Sequence, residues 1–138
     1  MEEKVHEADF RFNEYKILKS HIDVNDAKER AKEYTIDINP SGRKKDNKFE
    51  LLLEITINDK NEAINIHLNI VGYFNFRANI NANTLPQYFI VNAPAILFPY
   101  VRAYISLLTS LSGIGTITLP TLNMSSLAKR LSQNIKSE

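Results

Sequence analysis

Two adjacent segments, 49–57 (FELLLEITI) and 64–76 (INIHLNIVGYFNF), constrain the fold more than any other part of the chain. Apolar and polar side chains alternate along both, with an interruption at Leu52. Successive side chains of a β-strand point to opposite faces, so this period of two predicts two antiparallel strands in a sheet covered on one face. The polar residues 58–62 (NDKNE) predict the turn that joins them into a long hairpin.

Weaker strand patterns precede this hairpin. A first strand is expected from Phe10 and Phe12 onward, with a bulge or break near residues 18–21, and residues 26–32 (DAKERAK) favour a loop or a single turn. Residues 34–38 alternate and end at 39–42 (NPSG), a combination typical of turns, so we expect the next strand to stop there. The basic residues 43–45 (RKK) then predict a solvated hairpin loop, with phosphate contact as the minor alternative.

The second half of the chain has helical patterns. In residues 92–102 (NAPAILFPYVR), Pro94 can begin a helix because a first-turn residue does not need its N–H. We expect a short turn at 85–91 capped by Thr84, then the long helix from Pro94 to residue 111, bent or loosened at Pro99 and ended by Gly113. An apolar loop over 113–124 follows.

A last helix is expected to begin at Asn123 or Ser125 and to run to about residue 134. Leu127, Leu131 and Ile135 would form its apolar edge. The order of strands and helices predicts one α+β domain over residues 1–138: a four-stranded antiparallel sheet packed against a long helix, with a crossover loop and a short C-terminal helix.

Composition excludes several classes of function. A formal net charge of +1 argues against a nucleic-acid binder, which needs a basic surface to replace counterions. The chain has no cysteine, which excludes disulfides, thiolate zinc sites and thiol catalysis. The N-terminus has no apolar signal core, and no apolar run approaches the roughly 20 residues of a membrane span. We therefore expect a cytoplasmic protein that does not insert into membranes.

The sequence contains no arrangement typical of an enzyme or a metal site. His6, His21 and His67 are scattered, without the spacing of metal ligands. Glu50 and Glu54 fall on the outer face of a strand, where no water-excluding pocket would support acid–base chemistry. We therefore predict no catalytic residue, no metal and no cofactor.

Several pieces of the second half together resemble the SecB family, the cytosolic export chaperones of bacteria. These pieces are residues 72–74 (GYF), 94–102 (PAILFPYVR), 119–120 (LP) and 122–124 (LNM), in that order and spacing. The resemblance implies an ATP-independent holdase that binds unfolded or precursor polypeptides in apolar grooves and assembles into dimers or tetramers. Carried onto this chain, the candidate client-binding residues are Phe74, Phe76, Leu97, Ile117, Leu119, Leu122 and Met124.

Departures from the family pattern concern the partner. Asn65 and His67 occupy strand positions where SecB offers an apolar residue and a glutamate to the motor SecA, and they mark a possible partner-docking face of the sheet. The C-terminal residues 133–138 (QNIKSE) are short and not strongly acidic. Both departures argue against SecA docking, and leave client binding unaffected.

Other functions are compatible with the same sequence. The three alternatives are a dedicated chaperone of a single client such as an antitoxin, a structural oligomer without a client, and a binder of a small apolar ligand. A loop of methionine and aliphatic residues favours adaptable binding. An ordinary core role is as favoured as a groove role for Phe74 and Phe76, and more favoured for Leu97. A groove or subunit-contact role is favoured instead for Ile117, Leu119 and Leu122.

Overall fold

The structure, a computed structural model, describes residues 9–77 and 85–137. Its strands are β1 (Phe10–Val24), β2 (Tyr34–Lys45), β3 (Lys48–Asp59), β4 (Ile64–Phe76) and β5 (Ile135–Ser137), and its helices are α1 (Gln87–Leu111) and α2 (Met124–Ser132). They form one sheet in the order β1-β4-β3-β2-β5, in which the four long strands are antiparallel and β5 is parallel to β2. The predicted α+β architecture is confirmed, with β5 as an addition.

The central hairpin of β3 and β4 supplies the core, as the alternation predicted. Every second side chain of both strands faces α1 and is buried, whereas the intervening positions face outward. Burying a Leu, Ile or Phe side chain stabilises a fold by roughly 1.5–3 kcal/mol, so this face dominates folding. Its largest buried side chains are Phe49, Leu51, Leu53, Ile55, Ile57, Ile64, Ile66, Leu68, Ile70 and Phe74.

Edge strand β1 contains two irregularities. Its register against β4 shifts between Phe12 and Glu14 and again between Ile17 and Lys19, where Leu18 is the extra residue. The second shift confirms the bulge expected near residues 18–21. A bulge places two residues opposite one and redirects the extra side chain.

The predicted end of the second strand at residues 39–42 is wrong, because β2 continues to Lys45 and turns at 46–47. Proline has no N–H, so it is tolerated where that group would point away from the neighbouring strand. The N–H of Gly42, two residues later on the same side of β2, points away from β3 and donates to the Asn134 carbonyl at 2.9 Å. Pro40 therefore removes no hydrogen bond to β3. The solvated-loop prediction for 43–45 is also wrong. These residues are in the strand, and Lys44 is buried with its Nζ donating to the Asp46 carbonyl.

Helix α1 begins at Gln87, seven residues before the predicted start, and runs through Pro94 and Pro99. The short turn predicted at 85–91 is thus mostly helix, and its expected cap, Thr84, is outside the described residues. Each proline removes one helical hydrogen bond. Burial of Phe89 and Ile90 in the core offsets that loss, because tertiary packing outweighs local preference in most helices.

Helix α2 is capped by Asn123, whose side chain accepts from the Ser125 N–H at 3.0 Å, as predicted. Leu127 and Leu131 are buried along its apolar edge. The third expected member of that edge, Ile135, instead begins β5, because the helix ends at Ser132.

Among the described residues, α1 is the helix long and apolar enough, by length and composition, to cross a membrane. Core helices of soluble proteins meet the same criterion. Here the buried side of α1 lies against the sheet through Phe89, Leu97 and Val101.

A buried carboxylate fastens the 25–33 linker to the β3–β4 turn. Asp59 accepts hydrogen bonds from the backbone N–H of Ile64 at 2.8 Å and of Ala31 at 2.9 Å, through different oxygens. Burial raises the pKa of Asp59, but backbone hydrogen bonds from Ile64, Ala31, Ala63 and Asn61 together lower it more, so the pKa lies below the ordinary value of 3.8. The ionised form is therefore the one that stabilises the fold.

We expect Asp59→Asn to lower the free energy of unfolding at neutral pH by about 1–3 kcal/mol, because an amide has one acceptor oxygen for two N–H donors. A depressed pKa contributes stability above the unfolded-state value, and that contribution is lost as pH falls through the folded-state value. The difference from wild type should therefore shrink below about pH 4. Urea unfolding across pH measures it, with exposed Asp26→Asn as the control; a pH-independent difference would contradict the assignment.

Candidate functional site

Most of the predicted client-binding side chains are buried in the interior of the protein. Phe74 and Phe76 of β4 and Leu97 of α1 are buried between sheet and helix. In the crossover loop (residues 113–123), Ile117 and Leu119 are buried, whereas Leu122 and, at the start of α2, Met124 are half-buried. The structure thus joins all seven to one apolar cluster, and leaves Leu122 and Met124 partly accessible.

The close contact of helix and sheet depends on Gly72. A Cβ added there would lie 3.2 Å from the Leu97 side chain and 3.2 Å from Phe74, tighter than ordinary van der Waals contact. The absence of a side chain at Gly72 therefore allows Leu97 of α1 to pack against the sheet beside Phe74.

Polar side chains of α1 hold the crossover loop in place. Arg102 Nε donates to the Leu119 carbonyl at 3.1 Å, and Ser106 Oγ donates to the Ile117 carbonyl at 3.3 Å. Buried Thr109 Oγ1 accepts from the Ile117 N–H at 2.8 Å while donating to the carbonyl of Ile105. The loop backbone is thus fixed by the helix, and its apolar side chains are directed into the core.

A second anchor comes from the linker between β1 and β2. The Arg30 guanidinium donates to the Ile114 carbonyl and lies over the Tyr34 ring, 5.4 Å from its centroid. The loop is therefore held from both sides, although it has no regular secondary structure.

Accessible aromatic side chains line the junction of β1 with the N-terminal half of α1. We call Phe10, Phe12, Tyr15, Tyr88 and Tyr100 the aromatic ridge. Tyr15 and Tyr100 are each about 40% exposed with ring centroids 4.5 Å apart, and Phe12 lies 5.7 Å from Tyr100 and 5.3 Å from Phe74. The ridge continues the buried aromatic core out to solvent at the edge of the sheet.

The solvent-facing side of α1 carries no charge. Arg102 is the charged residue of the helix, and its side chain is used by the crossover loop. The exposed positions, which we call the α1 stripe, are Gln87, Tyr88, Asn92, Ala95, Pro99, Tyr100, Ala103, Leu107, Ser110 and Leu111. A contiguous uncharged surface of this length is typical of an interaction site.

The outer face of the sheet holds Asn65 and His67, both half-buried. His67 is directly opposite His21, with ring centroids 6.3 Å apart, and its Nδ1 is 3.3 Å from Thr56 Oγ1. Within residues 9–77 and 85–137, no group of three or more His, Cys, Asp or Glu side chains forms a metal site. His6 is outside those ranges.

Four residues of this region were missed by sequence reasoning: Tyr15, Tyr100, Arg102 and Thr109. Arg102 gave a detectable signal as a charge in an otherwise uncharged helix. The signal for Tyr15 was weak, because the register shift after Phe12 places it on the same face as Phe12 although it is three residues further along the chain.

We expect Thr109→Val to lower the free energy of unfolding by about 1–3 kcal/mol, because the buried N–H of Ile117 would lose its acceptor. Hydrogen exchange of the crossover loop should accelerate in the same variant. Thr109→Ser retains the hydroxyl and is the matched control. Slow exchange in the valine variant would show that the loop is held by its apolar side chains alone.

Known proteins share this fold. The SecB-like chaperone Rv1957 of Mycobacterium tuberculosis, solved in complex with a ChAD peptide from the antitoxin HigA1, superposes with a TM-score of 0.72 at 16% identity, covering 83% of this chain and 90% of that chain. A protein of unknown function from Streptococcus agalactiae superposes with a TM-score of 0.55 at 13% identity, covering 81% and 97%.

Sequence comparison gives a similar result. An uncharacterized protein of Methanocaldococcus jannaschii is 24% identical over 137 residues, which cover 93% of this chain and 87% of that protein. The family model for the preprotein translocase subunit SecB matches residues 18–134, from β1 to the end of α2. The chain therefore belongs to the SecB family of chaperones.

Proposed function

We propose that this chain is a cytoplasmic, ATP-independent holdase that keeps unfolded polypeptides from aggregating and has no catalytic activity of its own. The observation that carries the proposal is the aromatic ridge. It exposes aromatic groups where a soluble monomer would be expected to present charge. A chaperone requires such groups because it must recognise many apolar segments with little sequence specificity.

The ridge supplies the accessible part of the client surface in this proposal. Phe12, Tyr15 and Tyr100 meet the client, while Phe74 and Leu97 support them from below. Leu122 and Met124 extend the surface on the side of the crossover loop, and Ile117 and Leu119 fix the loop's position.

A homo-oligomer, either a dimer or a tetramer, accounts for the α1 stripe apart from Tyr88 and Tyr100, which belong to the aromatic ridge. The stripe contains Ala95 and Ala103, whose small side chains allow a second helix to approach closely, and no charge that association would desolvate. Edge strand β1 offers a second contact between copies. Its bulges and its exposed Arg11, Lys16 and Lys19 limit unspecific pairing at that edge.

A dedicated client is the second candidate function. It is favoured by the similarity to Rv1957, whose structure contains an antitoxin peptide. Docking to an export motor is less favoured, since Asn65 and His67 provide no negative charge at their positions on the sheet. Binding of several unrelated unfolded proteins with similar affinity would favour the general holdase over the dedicated chaperone.

We expect the double variant Tyr15→Ser and Tyr100→Ser to lose most of the protection against client aggregation, because it removes two large apolar contacts from the ridge. Light scattering of an unrelated denatured protein at stoichiometric chaperone measures this. Tyr73→Ser, on the opposite face of the sheet, is the matched control and should protect normally. Full protection by the double variant, or none by the wild type, would refute the proposal.

We expect Ala95→Arg or Ala103→Arg to shift the assembly to a smaller species, because a charge would be placed in an uncharged helix contact. Light scattering coupled to size-exclusion chromatography measures the mass. Exposed Gln133→Arg, outside the stripe, adds the same charge and should leave the mass unchanged. Equal masses for all variants would place the subunit contact elsewhere.

A further inference from the structure

A shallow cleft lies on the outer face of the sheet, on the side away from α1. Its volume is about 400 Å³, and every strand of the sheet contributes to its lining. We call it the outer cleft. It is lined by Leu18, Ser41, Gly42, Arg43, Glu50, Leu52, Val71, Asn134 and Lys136.

The floor of the outer cleft is apolar, although the surrounding sheet face is polar. Leu52 and Val71 are directly opposite each other on β3 and β4, where their outward neighbours are Glu, Thr, Asn, His and Tyr. Leu18 joins them from β1 because it is the extra residue of the bulge, and it is 61% exposed. Three departures from the alternating pattern therefore converge at one place.

The end of the sheet's outer face that contains the outer cleft has a basic rim. Six exposed cations occupy outward positions here: Arg11, Lys16, Arg43, Lys45, Lys48 and Lys136. The acidic residues at the same end are Glu14, Glu50 and, in the β2–β3 turn, Asp46, and Glu50 lies 3.9 Å from Arg43. The other end of this face carries Asp23, Asp37 and Glu54 with the single cation Lys19 among the outward strand positions, so cations still outnumber carboxylates only at the end that contains the cleft.

Two cations without an intervening carboxylate are direct neighbours across strands, because Lys45 is opposite Lys48 on β2 and β3. Arg43 is also beside Lys136 on β2 and β5, but it lies 3.9 Å from Glu50. Like charges at such positions destabilise a sheet. A negatively charged ligand would relieve that repulsion, so the arrangement favours binding of an anion over a neutral or cationic group.

We propose that the outer cleft binds an acidic linear segment of a partner protein, with an aliphatic side chain on exposed Leu18 and half-buried Leu52, above buried Val71, and flanking carboxylates against the basic rim. A shallow cleft suits an extended peptide better than an enclosed small molecule. Electrostatic complementarity with the rim would provide the specificity and the rate of association.

This surface differs from the other candidate surfaces of the chain. Val71 is four residues from His67 along β4, which is about 13 Å, and further from Asn65. The aromatic ridge lies where β1 meets α1, and α1 covers the opposite face of the sheet. Binding at the outer cleft can therefore be tested independently of client binding.

The probe is a short fluorescein-labelled peptide in which Leu and Val alternate with Asp and Glu, titrated with the purified full-length chain by fluorescence anisotropy. We expect saturable binding that weakens as ionic strength rises. A peptide with Lys in place of the acidic residues should bind at least about tenfold more weakly, because it would repel the rim.

Two single variants locate the site. Leu18→Ser and Lys136→Glu are exposed changes, and each should weaken binding of the acidic peptide about five- to tenfold. Val24→Ser on β1 removes another exposed aliphatic side chain, and Lys129→Glu on α2 reverses another exposed charge; both should leave binding within about twofold of wild type. Circular dichroism confirms that all four variants are folded.

Three outcomes would overturn the proposal. Equal binding of the acidic and basic peptides would indicate general apolar capture, and loss of binding in the Tyr15 and Tyr100 double variant alone would place it on the ridge. Binding of phosphatidylserine vesicles or single-stranded RNA that depends on Lys136, without binding of the acidic peptide, would assign the surface to another class of partner.

Discussion

The contact of Phe89 with the sheet determines how the rest of the structure is arranged. Its ring is fully buried, and its centroid lies 4.7–5.4 Å from those of Phe10, Phe49, Phe74 and Phe76. Edge-to-face aromatic pairs contribute roughly 0.5–1.5 kcal/mol each beyond area burial, so the cluster offsets the two prolines within the helix. Because this contact fixes the orientation of α1, it also determines which side of the helix stays exposed.

The same contact explains which parts of the fold could be predicted. The β3–β4 hairpin could be predicted because the apolar and polar side chains of each strand alternate, so the strand's own residues show which face is buried. The start of α1 did not, since Pro94 is a valid local start signal and the competing signal, Phe89, acts through residues distant in sequence. Likewise, residues 39–42 have a composition typical of a turn, but they form part of β2. The hydrogen bond from Gly42 to Asn134 and the pairing with β5 stabilise them as a strand, and both partners are distant in sequence.

The sequence located the candidate site on particular elements but could not say which of its side chains are exposed. The apolar residues of β4, α1 and the crossover loop pack into one cluster, and their binding of a client stays a prediction. Periodicity cannot distinguish a buried side chain from an accessible one next to it, because both are apolar and both face the same layer. Tyr15 and Tyr100 become visible only once the shifts in β1 and the direction of α1 are known.

The coverage of β2 by β5 has a consequence for how many copies of the sheet can join. The three residues of β5 occupy the edge of β2 along Gly42–Lys44, and Pro40 lies just beyond them on the same side. The long edge without any paired strand is β1. Two copies that pair edge to edge through β1 would leave at the outer ends only the short strand β5 and residues 34–39 of β2, so further growth of the sheet would have only short edges to use.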